Sequence, residues 1–304
     1  MTSSATPFHA PVLLEPVLAA ARGARRVVDA TLGDGGHAGA FLASGAEVLG
    51  IDRDPEAIRR ASARHRGSAL TCLHGPYDDP AILERVTAFR PDFILLDLGV
   101  SSRQLDDEGL GFSFRPGVPL DMRMSRSGPT AADLLNSLPV EALQRIFRDF
   151  GDEPRARRVA TEIVRRRQRH PLAVSDDLVG AIRAVLGPRS GPGDFARLFQ
   201  AVRIAVNDEL PRLAAVLPAF RDALATGGAL AVISYHSGED RVVKHAFHEW
   251  ARRCICPPEL PVCRCRGRAL GLEEPRRSIV PTETEIDANP RARSARLRVF
   301  RVTE

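Results

Sequence analysis

A glycine-rich run at residues 33–36, Gly-Asp-Gly-Gly, is the first feature of the sequence that could do chemistry. Together with Ala38 it satisfies G-x-G-x-x-A, a loose pattern for a turn that brings a ligand against the free N–H groups at the start of a helix. Asp52 follows about 20 residues later, where a bound ribose would meet a carboxylate. A nicotinamide dinucleotide and S-adenosylmethionine both fit this pattern.

Carboxylates stand at the predicted ends of three strands, at Asp29, Asp52 and Asp97. They could simply cap strand ends, but the carboxyl ends of parallel strands are where such a sheet binds ligands, and three acids there favour a site. Asp29 suits the cationic ammonium or sulfonium of S-adenosylmethionine better than a pyrophosphate. Asp97 occupies the place where amine-directed methyltransferases keep an acid beside the reacting methyl. Tyr77 offers a ring that could pack on adenine.

Two further segments could contact a nucleic-acid base. His236, in the run SYHSGED, could hydrogen-bond a base or relay a proton, or it could only shape a turn and cap the next helix. The segment 111–124 carries Phe112, Phe114 and two arginines that could stack a flipped base and hold phosphate. For its phenylalanines, a packed connection is the favoured alternative. A ring-carbon methyltransferase is disfavoured, because its nucleophilic cysteine commonly follows a proline and no Pro-Cys pair occurs.

Four of the five cysteines are bunched at Cys254, Cys256, Cys263 and Cys265. Their number suits a structural zinc site, but the C-x-C-x6-C-x-C spacing is not that of a standard knuckle and the intervening prolines are stiff. The sequence therefore leaves zinc binding open at this cluster. In the catalytic site itself we expect no metal.

Short apolar strands alternate with helices through the first third of the chain. Strands are predicted at 26–30, 47–52, 69–74 and 92–98, and helices at 37–43, 54–64 and 79–89. Two more strands are predicted at 229–235 and 295–302, with a helix at 240–253. Strands that are nearly all apolar and alternate with helices indicate a mostly parallel sheet covered on both faces.

Helical periodicity replaces this alternation from 130 to about 185 and again at 196–225, where Pro211 and Pro218 predict breaks or helix starts. The simplest architecture that fits this pattern is an α/β domain interrupted by an all-helical insert. We expect 1–105 and 207–304 to form the α/β domain and 106–206 the insert.

The predicted insert contains a basic run. Seven arginines lie between residues 155 and 169 against one acid, Glu162. Such a run is usually a solvated helix face, but together with the NPRARS segment at 289–294 it could also engage RNA phosphate. We hypothesise the second role, with Arg165–Arg167 as the residues to test.

Composition excludes some classes of protein. With 304 residues, 44% of them hydrophobic and 27% charged, the chain is an ordinary globular protein and not a disordered one. No uncharged apolar run suggests a membrane span, and the N-terminus does not resemble a signal peptide, so we expect a cytoplasmic protein. The net charge of +5 fits polyanion binding but does not establish it.

Several blocks of sequence match one family, in order and over nearly the whole chain. They are HAPVLLE at 9–15, DATLGDGGHAG at 29–39, GIDRDPEAI at 50–58, HGPY at 74–77, ILLDLGVSSRQLDD at 94–107, GFSFRPGVPLDMRM at 111–124, FQAVRIAVNDEL at 199–210, SYHSGEDRVVK at 234–244 and NPRARSARLR at 289–298. On these blocks the chain resembles the RsmH (MraW) family of bacterial ribosomal RNA methyltransferases.

The resemblance implies a class I S-adenosylmethionine-dependent methyltransferase, a Rossmann-like α/β fold with a mostly parallel sheet and an inserted all-helical domain. The implied activity is methylation of the exocyclic N4 amine of one cytidine in the decoding centre of small-subunit (16S) rRNA, as RNA or in the assembled 30S particle. The family's contacts to S-adenosylmethionine carry over to Gly35, Gly36, His37, Asp52, Tyr77, Asp97 and Gln104.

Asp97 and His236 are the candidate catalytic residues. Generic amine methyltransferases place Pro-Pro-aromatic after the acid of the fourth strand, whereas Leu-Gly-Val-Ser follows Asp97 here, so Asp97 could serve mainly the cofactor. An NAD-dependent dehydrogenase would need a hydride-transfer site after that strand, and none is visible; a non-catalytic RNA-binding protein is disfavoured by the intact cofactor residues. We expect no membrane or DNA partner, and a monomer or weak homodimer.

Overall fold

The computed structural model describes residues 11–100, 107–125, 127–257, 262 and 264–303. The chain divides into two compact units. The sheet unit comprises Met1–Gly99 and Leu210–Glu304, and the helical unit comprises Val100–Glu209. We retain 1–105, 106–206 and 207–304 as the proposed domain boundaries. Over the described ranges, none of the helices has the length and apolar character that crossing a membrane requires.

The sheet unit is built on a single sheet. Its strands are β1 (Arg26–Asp29), β2 (Glu47–Asp52), β3 (Leu70–His74), β4 (Phe93–Asp97), β5 (Ala229–Ser234), β6 (Gly271–Glu273) and β7 (Arg296–Val302). They lie in the order β3-β2-β1-β4-β5-β7-β6. The first five are parallel, and β7 is antiparallel to both β5 and β6. The predicted mostly parallel sheet is confirmed. Strand β6 was not predicted, because a strand of three residues carries no usable periodicity.

Both faces of this sheet are covered, as a parallel sheet requires. Successive residues of β4 point to opposite faces, so Ile94 and Leu96 join one buried cluster with Phe247 while Phe93 and Leu95 join another. Every residue of β5 is buried as well. The central strands are therefore a rigid base for any residue at their ends.

The helices, in chain order, are α1 (Leu14–Ala20), α2 (Gly36–Ala43), α3 (Pro55–Arg64), α4 (Pro80–Phe89), α5 (Ala131–Ser137), α6 (Val140–Arg145), α7 (Ala156–Arg167), α8 (Ser175–Leu186), α9 (Pro192–Asn207), α10 (Glu209–Ala223), α11 (Ser237–Ala251) and α12 (Glu283–Ala288). Helices α5 to α9 belong to the helical unit. Short helical turns at Glu108–Leu110, Ile146–Phe150 and Pro290–Ser294 complete the described set.

Helix starts in the sheet unit follow the expected chemistry. Asp54 accepts a hydrogen bond from the Glu56 amide at the start of α3, and Asp79 does the same for Ala81 at α4 (2.9 Å each). The prediction of a break at Pro218 is wrong, because α10 continues through it. The buried apolar face of α10, which includes Phe220, stabilises the helix across the proline.

The helical unit has a core of its own, formed by α5 to α9 and the segment before them. Phe112 and Phe114 pack against this core. The ring of Phe114 lies edge-on to Phe195 and Phe199, with centroids 6.1 and 6.0 Å away. These contacts support the packed connection for the two phenylalanines, in preference to base stacking.

Candidate active site

The candidate site lies at the carboxyl ends of β1 and β4, two neighbouring parallel strands at the centre of the sheet. From β1 the chain continues to β2 on one side, and from β4 it continues to β5 on the other. Strand order reverses at this point, and α/β sheets bind ligands in the crevice that such a reversal leaves. Asp29 ends β1 and Asp97 ends β4, so both predicted acids lie at this crevice.

The glycine turn after β1 is held in one conformation. Gly33 and Gly35 have φ of +53° and +77°, the left-handed region that favours glycine. A Cβ on Gly35 would lie 3.0 Å from Nε2 of His65, which itself lies 3.0 Å from the Gly35 carbonyl oxygen. Helix α2 begins at Gly36, and no side chain caps it. Its first amides are therefore available to a ligand.

Asp52 ends β2 and borders the same turn. One carboxylate oxygen accepts a hydrogen bond from the Gly33 amide and the other from the Asp54 amide, both at 2.8 Å. A carboxylate has about four acceptor positions, so two remain for ribose hydroxyls. Burial raises the pKa of Asp52. The prediction that Asp52 binds ribose stays a proposal that this geometry supports.

Asp29 and His37 form the floor of the crevice. Asp29 is 1% exposed, and burial raises its pKa to about 6. Nε2 of His37 lies 3.0 Å from the carbonyl oxygen of Val12, and because a carbonyl only accepts, Nε2 carries the hydrogen. Burial also lowers the pKa of His37, which keeps the ring neutral. The predicted cofactor residue His37 thus anchors the α2 start to the segment before α1.

Asp97 has three polar neighbours, two of which form hydrogen bonds with it. Its Oδ1 accepts a hydrogen bond from the Tyr235 hydroxyl at 2.8 Å, and its Oδ2 lies 3.7 Å from Nδ1 of His37. Its backbone amide donates to Oγ1 of Thr31 at 2.6 Å. Burial raises the pKa of Asp97 to about 7, although the tyrosine hydrogen bond opposes the shift. A carboxyl group that titrates near neutral pH can gain or lose a proton during a reaction.

Tyr235 is a site residue that the sequence analysis missed. It follows β5 directly, so the pairing of β5 with β4 brings it beside Asp97, 138 positions away in the chain. Burial raises the pKa of the Tyr235 hydroxyl well above its ordinary value, so the hydroxyl keeps its proton and donates it in the hydrogen bond. Its place at the end of the predicted strand 229–235, next to His236, was the available signal.

His236 caps α11. Its Nδ1 accepts from the Glu239 amide at 3.4 Å, and α11 begins at Ser237, three residues before the predicted start at 240. His236 therefore caps the helix, its role toward a base stays a prediction, and the predicted start is wrong, because the cap draws the first turn back toward β5. The other ring nitrogen, Nε2, is buried and lies 3.2 Å from Oε1 of Glu239, yet it has no hydrogen-bond partner among the described residues.

Three predicted cofactor residues remain: Gly36, Tyr77 and Gln104. Gly36 is the first residue of α2. Tyr77 is partly buried and packs against the core beside Phe220, with ring centroids 6.4 Å apart. Gln104 lies outside the described residues.

Three arginines of the basic run on α7 already have partners within the protein. Arg165 and Arg166 pair with Glu162, at 2.7 Å each. Arg167 donates to the carbonyl oxygens of Leu135 and Leu138 at 2.8 and 2.7 Å. Arg167 therefore braces α7 against the end of α5, which makes it a poor residue for testing contact with phosphate.

The donor set of the crevice fits S-adenosylmethionine better than a dinucleotide. The negative charges of Asp97 and Asp52 both add to the rise in the pKa of Asp29. A pyrophosphate would add negative charge to these carboxylates, whereas a sulfonium and an ammonium would neutralise them. The uncapped start of α2, directly after the glycine turn, supplies free amides on the same edge.

Comparison with known proteins gives a consistent result. The model of the MraW methylase family matches residues 6–303. A protein of Gemmatimonas aurantiaca named Ribosomal RNA small subunit methyltransferase H is 54% identical over 302 residues, which cover 97% of this chain and 95% of the relative. A protein of the same name from Rubrobacter xylanophilus is 47% identical over 97% of this chain and 96% of the relative.

Proposed function

Because the chain belongs to the MraW methylase family, we propose that it methylates the exocyclic N4 amine of a cytidine in the decoding centre of small-subunit rRNA. S-adenosylmethionine is the cofactor. The shared name of the relatives supports small-subunit rRNA as the substrate. The observation that carries the choice of an amine is Asp97, an acid at the end of β4 whose pKa is raised by burial to about 7.

When bound, S-adenosylmethionine supplies an electrophilic methyl group on a positively charged sulfur. In our proposal Gly35 and the amide of Gly36, at the start of α2, and the carboxylate of Asp52 hold its polar parts, and Tyr77 packs against adenine. Asp29 and Asp97 compensate its positive charge, and His37 holds α2 in place beside them. Gln104 is carried over from the family resemblance as a further contact.

Asp97 has the chemistry that an amine substrate needs. The lone pair of a cytosine amine is conjugated into the ring, so the enzyme must align the amine and accept one of its hydrogens as positive charge develops on nitrogen. An ionised Asp97 can accept that hydrogen bond and then the proton. The Tyr235 hydroxyl, which donates to Oδ1 at 2.8 Å, fixes the direction in which the other oxygen, Oδ2, faces.

His236 is the proposed contact to the base. Its cap of α11 fixes the ring, and its Nε2 is a buried polar atom with no hydrogen-bond partner in the described ranges. Leaving such an atom unsatisfied costs about 1–3 kcal/mol, which a hydrogen bond to the base edge would recover. We propose His236 as a residue that positions the base, and Asp97 as the one that accepts the hydrogen.

Mass spectrometry of small-subunit rRNA tests the function. Cells that lack this gene should lose the methyl group on the exocyclic amine of a decoding-centre cytidine, and wild type should restore it. Asp97→Ala should not restore it, whereas Asp222→Ala should, because the Asp222 side chain is 66% exposed on α10, away from the strand ends. An unchanged methylation profile in the deletion strain would exclude the proposed substrate.

A further inference from the structure

The segment between α11 and β6 gathers three cysteines. Cys254 and Cys256 follow the end of α11, and Cys265 precedes β6. The sulfur atoms of these three residues all lie within 4.8 Å of one another. The segment lies at the far end of the sheet order from β1, away from the pairing of β1 with β4 that forms the crevice.

The spacing of the sulfurs is that of ligands to one ion. Sγ of Cys254 and Sγ of Cys265 are 3.8 Å apart. A tetrahedral zinc ion with zinc–sulfur bonds of about 2.3 Å holds its sulfurs about 3.8 Å apart, whereas a disulfide requires about 2.05 Å. Thiolates are soft ligands, and a set of them in this geometry selects zinc among the common divalent ions.

Backbone amides support the same sulfurs in a reciprocal pattern. Ile255, between the first two cysteines, donates its amide to Sγ of Cys265 at 3.3 Å. Arg264, directly before Cys265, donates its amide to Sγ of Cys256 at 3.4 Å. Amide donors stabilise the negative charge of a thiolate, and such contacts around the ligands are typical of metal centres. The two halves of the segment therefore each support a sulfur of the other half.

The described part of the segment, 252–257, 262 and 264–270, has little apolar interior that could hold this arrangement. Ile255 and Val262 are 39% and 67% exposed. Two hydrogen bonds join the ends of the segment where it meets α11 and β6. The Leu270 amide donates to the Trp250 carbonyl at 2.9 Å, and the Arg266 guanidinium donates to the Arg252 carbonyl at 3.1 Å. Between those joined ends, a metal cross-link would supply the stabilisation that a small apolar core cannot.

We propose that Cys254, Cys256 and Cys265 bind a structural Zn²⁺ that holds the segment between α11 and β6. The ion has no part in methyl transfer. Cys263 lies outside the described residues, and the experiment asks whether it supplies a fourth thiolate.

Metal content of the full-length protein, purified under reducing conditions without chelator, is the first measurement. Wild type should contain about one zinc per chain by mass spectrometry of the metal. Cys254→Ser and Cys265→Ser should each weaken zinc binding by at least about tenfold. The matched control is Cys72→Ser, since Cys72 lies on β3 next to Ser62 and should keep the zinc. Zinc loss in Cys263→Ser would support the same site with four thiolates.

Cobalt titration keeps the proposal testable if a serine variant fails to fold. Folded wild type, stripped of zinc, should develop the charge-transfer and visible bands of tetrahedral thiolate-bound Co²⁺, and zinc should displace them. Wild type with well under about 0.2 zinc per chain and no such bands would overturn the proposal. So would a Cys254–Cys265 disulfide in freshly purified reduced protein, or equal zinc loss in Cys72→Ser.

Discussion

The crevice and helix α7 hold their carboxylates in opposite ways. In the crevice, Asp29 accepts a hydrogen bond from the Thr31 amide and Asp97 accepts one from the Tyr235 hydroxyl, and burial raises their pKa values to about 6 and about 7. On α7, hydrogen bonds from Arg165 and Arg166 lower the pKa of Glu162 to about 2. The negative charge on α7 is compensated within the helix, whereas that of the crevice would be compensated only by a cationic ligand.

This difference distinguishes carboxyl groups that are suited to a function from one that is paired at the surface. A carboxyl group whose pKa lies near neutral is poorly stabilised in its charged form, and such groups cluster at functional sites. A carboxylate that is fully paired with arginine responds little to pH in the neutral range and contributes little stability at the surface. Removing charge should therefore have large effects in the crevice and small effects on α7.

Asp97→Asn should have the largest effect. Asparagine keeps the size of the side chain but cannot accept a proton, so we expect kcat to fall by about 10² to 10⁴. Rates of methyl transfer to small-subunit rRNA, measured beside calorimetric binding of S-adenosylmethionine, separate chemistry from cofactor affinity. A variant that keeps near-normal kcat would refute the proton-accepting role of Asp97. Asp222→Asn, at an exposed position, is the matched control.

Asp29→Asn should change stability in a pH-dependent way. The pKa of Asp29 is raised from 3.8 to about 6, so its contribution to stability is fully present below pH 3.8 and is lost as the pH rises through about 6. Since asparagine never ionises, the variant should be more stable than wild type by about 3 kcal/mol at pH 8 and nearly equal to it at pH 4. Urea unfolding without cofactor, at both pH values, measures this difference. An equal change at the two pH values would contradict the buried-charge explanation.

Tyr235→Phe should shift a pH profile. Loss of the hydroxyl removes a hydrogen bond that lowers the pKa of Asp97, so that pKa should rise above about 7. Because Asp97 must be ionised to accept a hydrogen, activity at pH 7 should fall roughly 3- to 10-fold and recover at higher pH. A uniform loss at every pH would point to a purely structural role for Tyr235.

The elements of the crevice were predictable from the sequence, because each strand and its terminal acid form one local pattern. Asp29, Asp52 and Asp97 end the strands on which they were predicted. The contact between Tyr235 and Asp97 was not predictable, since it depends on the register of two strands far apart in the chain. The start of α11 was placed three residues too late for a different reason: Ser237 and Gly238, its first two residues, are weak helix formers.

For α7 the sequence predicted the helix, but not which of its arginines form ion pairs or hydrogen bonds within the protein. Composition counts charges, whereas pairing depends on which face each side chain lies on and which carbonyls are near it. Arg167 reaches carbonyls at Leu135 and Leu138, roughly 30 positions earlier in the chain, and no local pattern specifies such contacts.

The smallest effect on stability is expected at Arg157 and Arg158, which are exposed on α7. Replacing both with alanine should change the free energy of unfolding by less than about 0.5 kcal/mol, as for other surface substitutions. If α7 contacts RNA phosphate, the same change should weaken RNA binding and reduce its salt slope by about 1 for each arginine. Arg167→Ala is a poor test, because losing its bonds to the two carbonyls would destabilise the helical unit. An unchanged salt slope in the double variant of normal stability would place the RNA-binding surface elsewhere.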